Sequence, residues 1–548
     1  MLTTAVIRAE SEYRELRAEL QKAFAGERRP AVAAGLCDGA ADALLAALLG
    51  DFHDKGPALI LLSEEKECVR LQNLLAAFGV RAAFFTARDL TFYNITASHE
   101  YEHDRLGVLW GLLGGHYDAV LTTPDAALGF TVSRARLQGA TLTVNRDSVL
   151  EPAELAKKLV AAGYARVEMV EGPGQFAVRG GIVDIYPPNL RALTPDNRLI
   201  TDPVPVRIEF FGDEVDRIGL FDEESQRVHT MAAGVELPPA REVLLTDESR
   251  AALATVVREQ LKKCKDERAA EELRAELAAL ESEADVRFAD KYLTLIDPEK
   301  ETLLSYFGER ALCVVRGTNA IRDRLKAAAW HWREQVTELL ENGTISPRFA
   351  EYGLPAAALE HFFDASVTVH VDSIAEGVSG KRLSGLFDFR TKHTVAYGDR
   401  TELLLEDLQN YMRADYRVVL AAENEMSAEN MAGYLSERGY AAALTDGNDE
   451  LPPPGRIAVT WREPTVGFEL PAVHAAVLSL AASEVTGGLV PGQLRRARKQ
   501  KDAKKEILNY ADLRVGDLVV HETHGIGRYT GLETLTIDGV TRDYVGIQ

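Results

Sequence analysis

Short apolar runs alternate with amphipathic segments over the first part of the chain. An amphipathic helix is predicted at 10–25, and three further helices at about 39–50, 64–78 and 100–114. The apolar runs between them predict strands with the sequences AVAAGL (31–36), ALILL (58–62), AAFFT (82–86) and DAVLTT (118–123). Apolar strands that alternate with helices are typical of a parallel sheet covered on both faces. Residues 1–138 are therefore predicted to form an α/β domain.

From about residue 139 the pattern predicts a compact antiparallel unit. The strand over 206–210 alternates apolar with charged side chains, which places the two kinds on opposite faces. Phe211–Glu214 predicts the turn into the next strand, and glycines precede a strand pair over 176–186. Strands with one polar face are solvated on that face. We therefore predict a free face that carries Arg166 and Arg179, and we expect the first partner to bind there.

The next two regions return to mixed helices and strands. Residues 229–344 contain a highly charged segment, which predicts one helix at 258–284 with a stripe of leucines. Residues 345–483 are predicted to form a further small α/β domain. The apolar runs of these two regions predict strands at 311–317, 366–371, 416–424 and 474–483, with a helix at 427–438.

Residues 484–510 are typical of a linker, because they begin with glycines and a proline and continue with a run of basic residues. That run includes Arg495, Arg496, Arg498 and Lys499. Clustered basic residues bind nucleic acid or an acidic protein surface. A solvated tether is the alternative, since no aromatic residues are interleaved with the charges.

The last segment, 511–548, has an all-β pattern. Asp538-Gly539 predicts a hairpin turn between two alternating runs, and Gly525 and Gly527 predict a bend or bulge. The sequence stops inside the last predicted strand. A barrel of this kind needs more strands to close, so we expect the chain to be truncated.

Composition narrows the classes of function. A chain of 548 residues exceeds a single core, and its net charge of −22 argues against a protein that coats DNA non-specifically. The four cysteines are far apart and form no CxxC pair, which predicts neither a zinc site nor a disulfide framework. His521 and His524 are interpreted as stabilising a turn, because two histidines alone do not make a metal site. No apolar run has the length of a membrane span, and the first residues lack the hydrophobic region of a signal peptide. We therefore expect a cytoplasmic protein without membrane contact, and a monomer.

The loop after the first strand has the position of a phosphate-binding loop. It runs from Gly35 through Asp38, Gly39 and Ala40 to the following helix. A nucleotide-binding loop needs a lysine for the phosphates and a hydroxyl for the magnesium ion, and alanines stand in those places. The aspartates would also repel phosphate. We interpret this segment as a degenerate nucleotide loop that serves as a structural turn.

Two signatures carry a resemblance to known families. The strand Arg179-Gly180-Gly181-Ile182-Val183-Asp184-Ile185-Tyr186-Pro187 and the hairpin RIEFFGDEVDRI resemble a domain shared by the excision-repair protein UvrB and the bacterial transcription-repair coupling factors. The C-terminal segment GDLVVHETHGIGRYTGLETL resembles the polymerase-interacting module of the coupling factors, which is related to CarD-type regulators. Because UvrB lacks that module, the order of the two signatures favours the coupling-factor family.

The resemblance implies a multidomain α/β architecture. Residues 1–138 and 229–344 would form a degenerate RecA- or helicase-like module, interrupted by an α+β domain at 139–228 that binds UvrA. The segment 511–548 would be part of an SH3- or Tudor-like β-barrel that contacts RNA polymerase. The family's ATP-driven DNA translocase motor is expected outside this chain, because GxxxxGK[ST] occurs nowhere in it.

The resemblance also implies roles for particular residues in a non-catalytic portion of a coupling factor. Arg166, Phe176 and Arg179 would contact UvrA. The strand that docks on the RNA polymerase β subunit would contain Leu532, Thr534, Leu535, Thr536 and Ile537. No cofactor is expected for this chain, and ATP, magnesium and DNA would belong to the motor of the full-length protein. The alternatives are a UvrB-like subunit of nucleotide excision repair and a CarD-like transcription regulator.

Overall fold

The computed structural model describes most of the chain as two compact units, Met1–Gly487 and Gly488–Gln548, each considered by itself. The described residues are 1–26, 28–88, 100–282, 286, 289–308, 310–343, 345–374, 382–398, 400–445, 450–463, 466–480, 518–521, 525–537 and 540–547. Within these ranges, no helix combines the length and the apolar character needed to span a membrane.

The strands of the first unit are short, and most have two to six residues. They are β1 (Ala31–Ala34), β2 (Ala58–Leu61), β3 (Ala82–Phe85), β4 (Ala119–Thr122), β5 (Leu142–Asn145), β6 (Ala165–Arg166), β7 (Gln175–Arg179), β8 (Ile182–Tyr186), β9 (Arg191–Leu193), β10 (Leu199–Ile200), β11 (Val206–Phe211), β12 (Glu214–Phe221), β13 (Val228–Ala232), β14 (Gly234–Leu237), β15 (Leu312–Arg316), β16 (Val367–Val371), β17 (Gly385–Asp388), β18 (Lys392–His393), β19 (Arg417–Ala421), β20 (Ala442–Leu444), β21 (Ile457–Thr460), β22 (Phe468–Leu470) and β23 (Ala475–Ser479).

The α-helices lie between these strands. They are α1 (Leu2–Arg8), α2 (Ser11–Ala25), α3 (Asp38–Asp51), α4 (Glu65–Ala77), α5 (Glu100–Leu113), α6 (Pro124–Leu128), α7 (Arg134–Ala140), α8 (Pro152–Ala161), α9 (Asp247–Lys263), α10 (Glu267–Glu281), α11 (Leu293–Ile296), α12 (Thr318–Glu341), α13 (Ala356–Ala365), α14 (Thr401–Arg413) and α15 (Glu425–Glu437). Short 3₁₀ turns occur at His53–Lys55, Ala289–Tyr292, Leu303–Tyr306, Pro347–Phe349 and Pro471–Val473.

A seven-stranded parallel sheet forms the centre of the first module, with the order β17-β1-β16-β15-β2-β4-β3. The four strands predicted before residue 138 are confirmed. The strand predicted at 366–371 exists as β16, but the assignment of this strand to a third domain is wrong. It pairs with β1 and β15, and β17 also joins this sheet, so the first module continues well past residue 345. The apolar run predicts a buried strand, but it contains no information about which neighbours the strand pairs with.

The inserted domain contains two sheets and the helix α8. The four-stranded sheet has the order β10-β9-β14-β5, and the six-stranded sheet has the order β13-β12-β11-β8-β7-β6. All neighbours in them are antiparallel except β6 and β7. The predicted boundary at residue 228 is too early, because β13 pairs with β12 and β14 pairs with both β5 and β9.

The charged segment predicted as one helix at 258–284 forms two helices, α9 and α10. The break occurs at Cys264–Asp266, where the Asp266 side chain accepts a hydrogen bond from the backbone N–H of Ala269 at 2.8 Å and caps α10. The leucine stripe is confirmed in position, since Leu273 and Leu280 are buried.

The remaining sheet of the first unit has the order β18-β22-β23-β19-β21-β20, with parallel strands β23, β19, β21 and β20. Its strands β19 and β23 and the helix α15 confirm the patterns predicted in 416–483.

The described residues of the second unit form a three-stranded antiparallel sheet of β24 (Leu518–His521), β25 (Gly525–Ile537) and β26 (Val540–Ile547), in that order. The predicted hairpin is confirmed, because Ile537 pairs with Val540. The predicted bulge lies elsewhere: Gly525 and Gly527 pair in register with β24, and the irregularity falls between Tyr529 and Gly531.

Candidate protein-docking surface

The six-stranded sheet of the inserted domain has one face packed against α8 and an opposite face that is partly exposed. Side chains of the packed face, including Phe176, Val183 and Ile208, lie in a core that also contains Leu155 and Leu159 of α8. Because side chains alternate along a strand, the intervening residues project to the opposite face. That face carries a small apolar cluster around Phe221 and a group of charged residues, and we call it the open face.

A buried carboxylate organises the charges of the open face. Asp184 on β8 is fully buried and accepts hydrogen bonds from Arg207 Nε at 2.6 Å and Arg207 Nη2 at 3.0 Å. Arg179 Nη2 donates to the same carboxylate at 2.7 Å. The bonds to Asp184 raise the pKa of Arg207 above its usual value. Arg207 also lies over the ring of Phe221, 4.7 Å from its centroid, and donates to the carbonyl of Gln226. Two arginines are thus held in fixed orientations by one buried charge.

The exposed part of the open face lies where two hairpin turns meet. Arg179 pairs with Ile182 across the first turn, where Gly180 adopts φ +62°, as tight hairpins require. Ile182 pairs in turn with Glu209, next to Phe211 at the second turn. The side chain of Arg179 is 50% exposed, and Phe211 is 82% exposed. We call the group Arg179, Ile182, Glu209 and Phe211 the docking edge.

Two of the three predicted contact residues lie outside the docking edge. Phe176 is fully buried in the packed core, so the prediction that it touches a partner is wrong. Arg166 is exposed, but it pairs in parallel register with Phe176 and so projects toward the packed side of the sheet, away from Arg179. The predicted free face therefore carries Arg179 without Arg166. Alternation gives the period of a strand but not which of its two faces is covered.

Phe211 is the most exposed of the docking-edge residues that sequence reasoning missed. Phe210 and Phe211 are adjacent, so an alternating strand must turn one of them away from the core. Phe210 packs partly into the core with α8, and Phe211 projects outward. The adjacent pair of aromatic residues was the signal available in the sequence.

A buried ion cluster holds the inserted domain against the first module. Glu242, just after β14, accepts hydrogen bonds from Arg105 Nε at 2.9 Å and Arg105 Nη2 at 3.0 Å, and Arg88 lies 3.3 Å away. Thr131 also donates to Glu242. Burial alone would raise the pKa of Glu242, but the two guanidinium groups and the hydrogen bonds outweigh it and lower that pKa. The angle of the docking edge relative to the module is thereby constrained.

The degenerate nucleotide loop connects β1 to α3, as predicted. Asp42, one turn into α3, is buried and pairs with Arg70 at 2.9 Å and with Arg316 at 2.5 Å. Arg316 also pairs with Asp38 at 3.1 Å. The acidic side chains that would repel a phosphate are therefore engaged in ion pairs within the module.

The C-terminal sheet presents a strand edge. Strand β24 pairs with β25 only as far as Arg528, whereas β26 pairs with β25 up to Ile537. Among the described residues, Leu532–Ile537 therefore pair on one side only. The basic residues Arg495, Arg496, Arg498 and Lys499 lie outside the described residues.

No group of three or more His, Cys, Asp or Glu side chains within the described ranges has the arrangement of a metal site. Four cysteines are present as free thiols, and Cys37, Cys68 and Cys313 are buried. Burial raises the pKa of Cys68 to about 12 and that of Cys313 well above its usual value, so both thiols are unreactive.

Two segments of the chain match known domain families. Residues 142–243 match the UvrB interaction domain, and residues 513–548 match the CarD-like/TRCF RID domain. The chain is 28% identical over 468 residues to the transcription-repair-coupling factor of Bacillus subtilis, which covers 82% of this chain and 37% of that protein. It is 30% identical over 426 residues to the transcription-repair-coupling factor of Staphylococcus epidermidis, which covers 74% of this chain and 34% of that protein. The chain spans about a third of the length of the curated relatives it matches.

Proposed function

This chain is similar to the N-terminal portion of the transcription-repair-coupling factors, and from that premise we propose that it links DNA repair to transcription by binding two proteins. The inserted domain recruits the excision-repair protein UvrA. The C-terminal sheet contacts RNA polymerase. The chain acts as a non-catalytic, monomeric, cytoplasmic docking portion, and DNA translocation belongs to the full-length protein.

The docking edge carries the first half of this proposal. Arginine and aromatic residues dominate the binding energy of protein interfaces, and here an exposed Arg179 and an exposed Phe211 lie at adjacent turns. Asp184 holds the guanidinium of Arg179 in place before any partner arrives, which reduces the entropy lost on binding. The exposed part of that guanidinium can bond to a carboxylate of UvrA.

The direct test is calorimetric titration of purified UvrA into this chain and into Arg179→Ala. We expect the wild-type chain to bind and the variant to bind at least tenfold more weakly, since a lost charge-assisted contact corresponds to about 1.5–3 kcal/mol. Arg166→Ala serves as the matched control, because Arg166 projects to the other side of the same sheet. If Arg166→Ala weakens binding and Arg179→Ala does not, the docking edge is wrongly assigned.

The second half rests on Leu532–Ile537, which pair on one side only among the described residues. A strand with a free edge can receive a strand of a partner by main-chain hydrogen bonds. We propose that the partner is the β subunit of RNA polymerase, with Leu532, Thr534, Leu535, Thr536 and Ile537 at the contact. Leu535 supplies the apolar anchor.

The chain is proposed to use no nucleotide. The loop at Gly35 and Gly39 lacks the lysine and hydroxyl that a nucleotide requires, and Asp42 is engaged with arginines. ATP and magnesium would serve only the motor of the full-length protein. Titration with a fluorescent ATP analogue should give no saturable binding. Saturable binding would favour a UvrB-like subunit instead, and polymerase binding without UvrA binding would favour a CarD-like regulator.

A further inference from the structure

The degenerate loop between β1 and α3 is filled by a later part of the chain. Thr391 Oγ1 accepts a hydrogen bond from the backbone N–H of Cys37 at 2.8 Å and donates one to the carbonyl of Gly35 at 2.9 Å. The backbone N–H of Thr391 also donates to that carbonyl at 2.8 Å. One backbone N–H of the loop, that of Cys37, and one carbonyl, that of Gly35, are therefore bonded to the same threonine.

The first turn of α3 is covered from another direction by the backbone of Val466 and Gly467. A Cβ atom added to Gly39 would lie 2.0 Å from the carbonyl oxygen of Val466 and 3.3 Å from that of Gly467. Carbonyl oxygens thus lie against the end of the helix where partial positive charge accumulates. Only glycine fits at position 39 while this contact is kept.

Helix α3 is buried on all sides. Every residue from Gly39 to Leu49 is buried. Ala40 and Leu44 belong to the same apolar core as Val419, Phe468 and Val477. These three lie in the part of the chain that forms the β18–β23 sheet, which we call the third region. A helix that is apolar all round needs cover on every side, and here the third region provides part of that cover.

A second, independent contact joins the same two parts of the chain. Glu463 is fully buried and accepts hydrogen bonds from the backbone N–H groups of Leu2 at 2.5 Å and Thr3 at 2.7 Å, and from the Thr3 hydroxyl. A carboxylate from the third region therefore satisfies the free N–H groups at the start of α1.

From these contacts we propose that Gly35–Asp51 is an internal docking socket, in which the third region takes the place that a nucleotide phosphate would take. Thr391, Val466 and Glu463 join the region around the six-stranded sheet of β18–β23 to the first module. The socket excludes nucleotides because it is full, in addition to lacking a lysine. This inference does not depend on UvrA or polymerase binding, and its test involves neither.

The test is Gly39→Ala, with the alkylation rate of Cys37 as the readout. Cys37 is a buried residue of the socket and its N–H is bonded to Thr391, so iodoacetamide reaches it only when the socket opens. The extra methyl group must displace Val466, so we expect Cys37 to react at least about tenfold faster in the variant, as measured by peptide mass spectrometry. Cys313, in the centre of the first sheet, should stay protected and reports on global unfolding.

Gly433→Ala is the matched control. Gly433 also lies in a helix, and a Cβ atom there meets nothing within 4 Å, so Cys37 should react at the wild-type rate. Thr391→Val serves if Gly39→Ala does not fold, because it removes the hydroxyl and keeps the shape; it should also expose Cys37. A folded Gly39→Ala or Thr391→Val variant in which Cys37 is as protected as in the wild type would overturn the proposal.

Discussion

Replacing Phe211 with alanine should separate binding from stability. The side chain is 82% exposed, so less than a fifth of it contacts the rest of the protein. Full burial of a phenylalanine corresponds to about 1.5–3 kcal/mol, so its present contacts correspond to about 0.5 kcal/mol or less. The Tm of the variant, measured by scanning calorimetry, should therefore lie within about 2 °C of that of the wild type.

The effect on UvrA binding should be much larger. An aromatic residue that becomes buried at the centre of an interface corresponds to about 2 kcal/mol or more when truncated, which is about a 30-fold increase in Kd. Isothermal titration of UvrA measures that change. Met426→Ala is the control. Met426 is also highly exposed, at 72%, but it lies on α15, which is not part of the inserted domain. A Phe211→Ala variant whose Kd for UvrA lies within twofold of the wild-type value would refute the assignment of Phe211 to the docking edge.

Three further predictions address the buried charge, the ion cluster and the polymerase contact. Asp184→Asn leaves the guanidinium of Arg207 without its carboxylate partner. The free energy of local opening, measured by amide hydrogen exchange in β8 and β11, should therefore fall by about 2 kcal/mol. Unchanged exchange would contradict the role of Asp184 in holding the arginines. The pKa of Glu242 is lowered in the folded protein. Its ion pairs therefore stabilise the folded state fully above the usual glutamate pKa of about 4.3, and this stabilisation is lost as the pH falls below that value. The difference in calorimetric Tm between the wild type and Glu242→Gln should thus be largest at neutral pH and shrink in strong acid. A difference that stays constant with pH would contradict the stabilising role of the Glu242 ion pairs. Leu535→Asp should abolish polymerase capture and leave UvrA affinity intact, and loss of both would indicate unfolding rather than a lost anchor.

Local patterns predicted the elements well where a segment's own side chains decide its structure. The apolar runs at 58–62 and 118–123 became β2 and β4 because a run of that composition is stable only as a buried strand or helix, and its length excludes a helix. The break between α9 and α10 was missed although Asp266, an ordinary helix-capping residue, was visible in the sequence.

The pattern of apolar and polar residues did not predict which strands pair with each other. Strand β16 is equally apolar in either sheet, and only its hydrogen bonds to β1 and β15 show which sheet it joins. The same limit applies to the candidate site. Arg179 was identified from its motif, but the burial of Phe176 and the exposure of Phe211 depend on which face of the sheet α8 covers.

The most direct test of the central claim is hydrogen–deuterium exchange of this chain with and without UvrA. Bound UvrA should protect the amides of the two turns at Arg179–Ile182 and Glu209–Glu214. It should leave unchanged β6, at the edge of the same sheet, and α8, on the packed face. Protection confined to β6 and α8, or no protection anywhere in 142–243, would contradict the assignment of the open face as the docking surface.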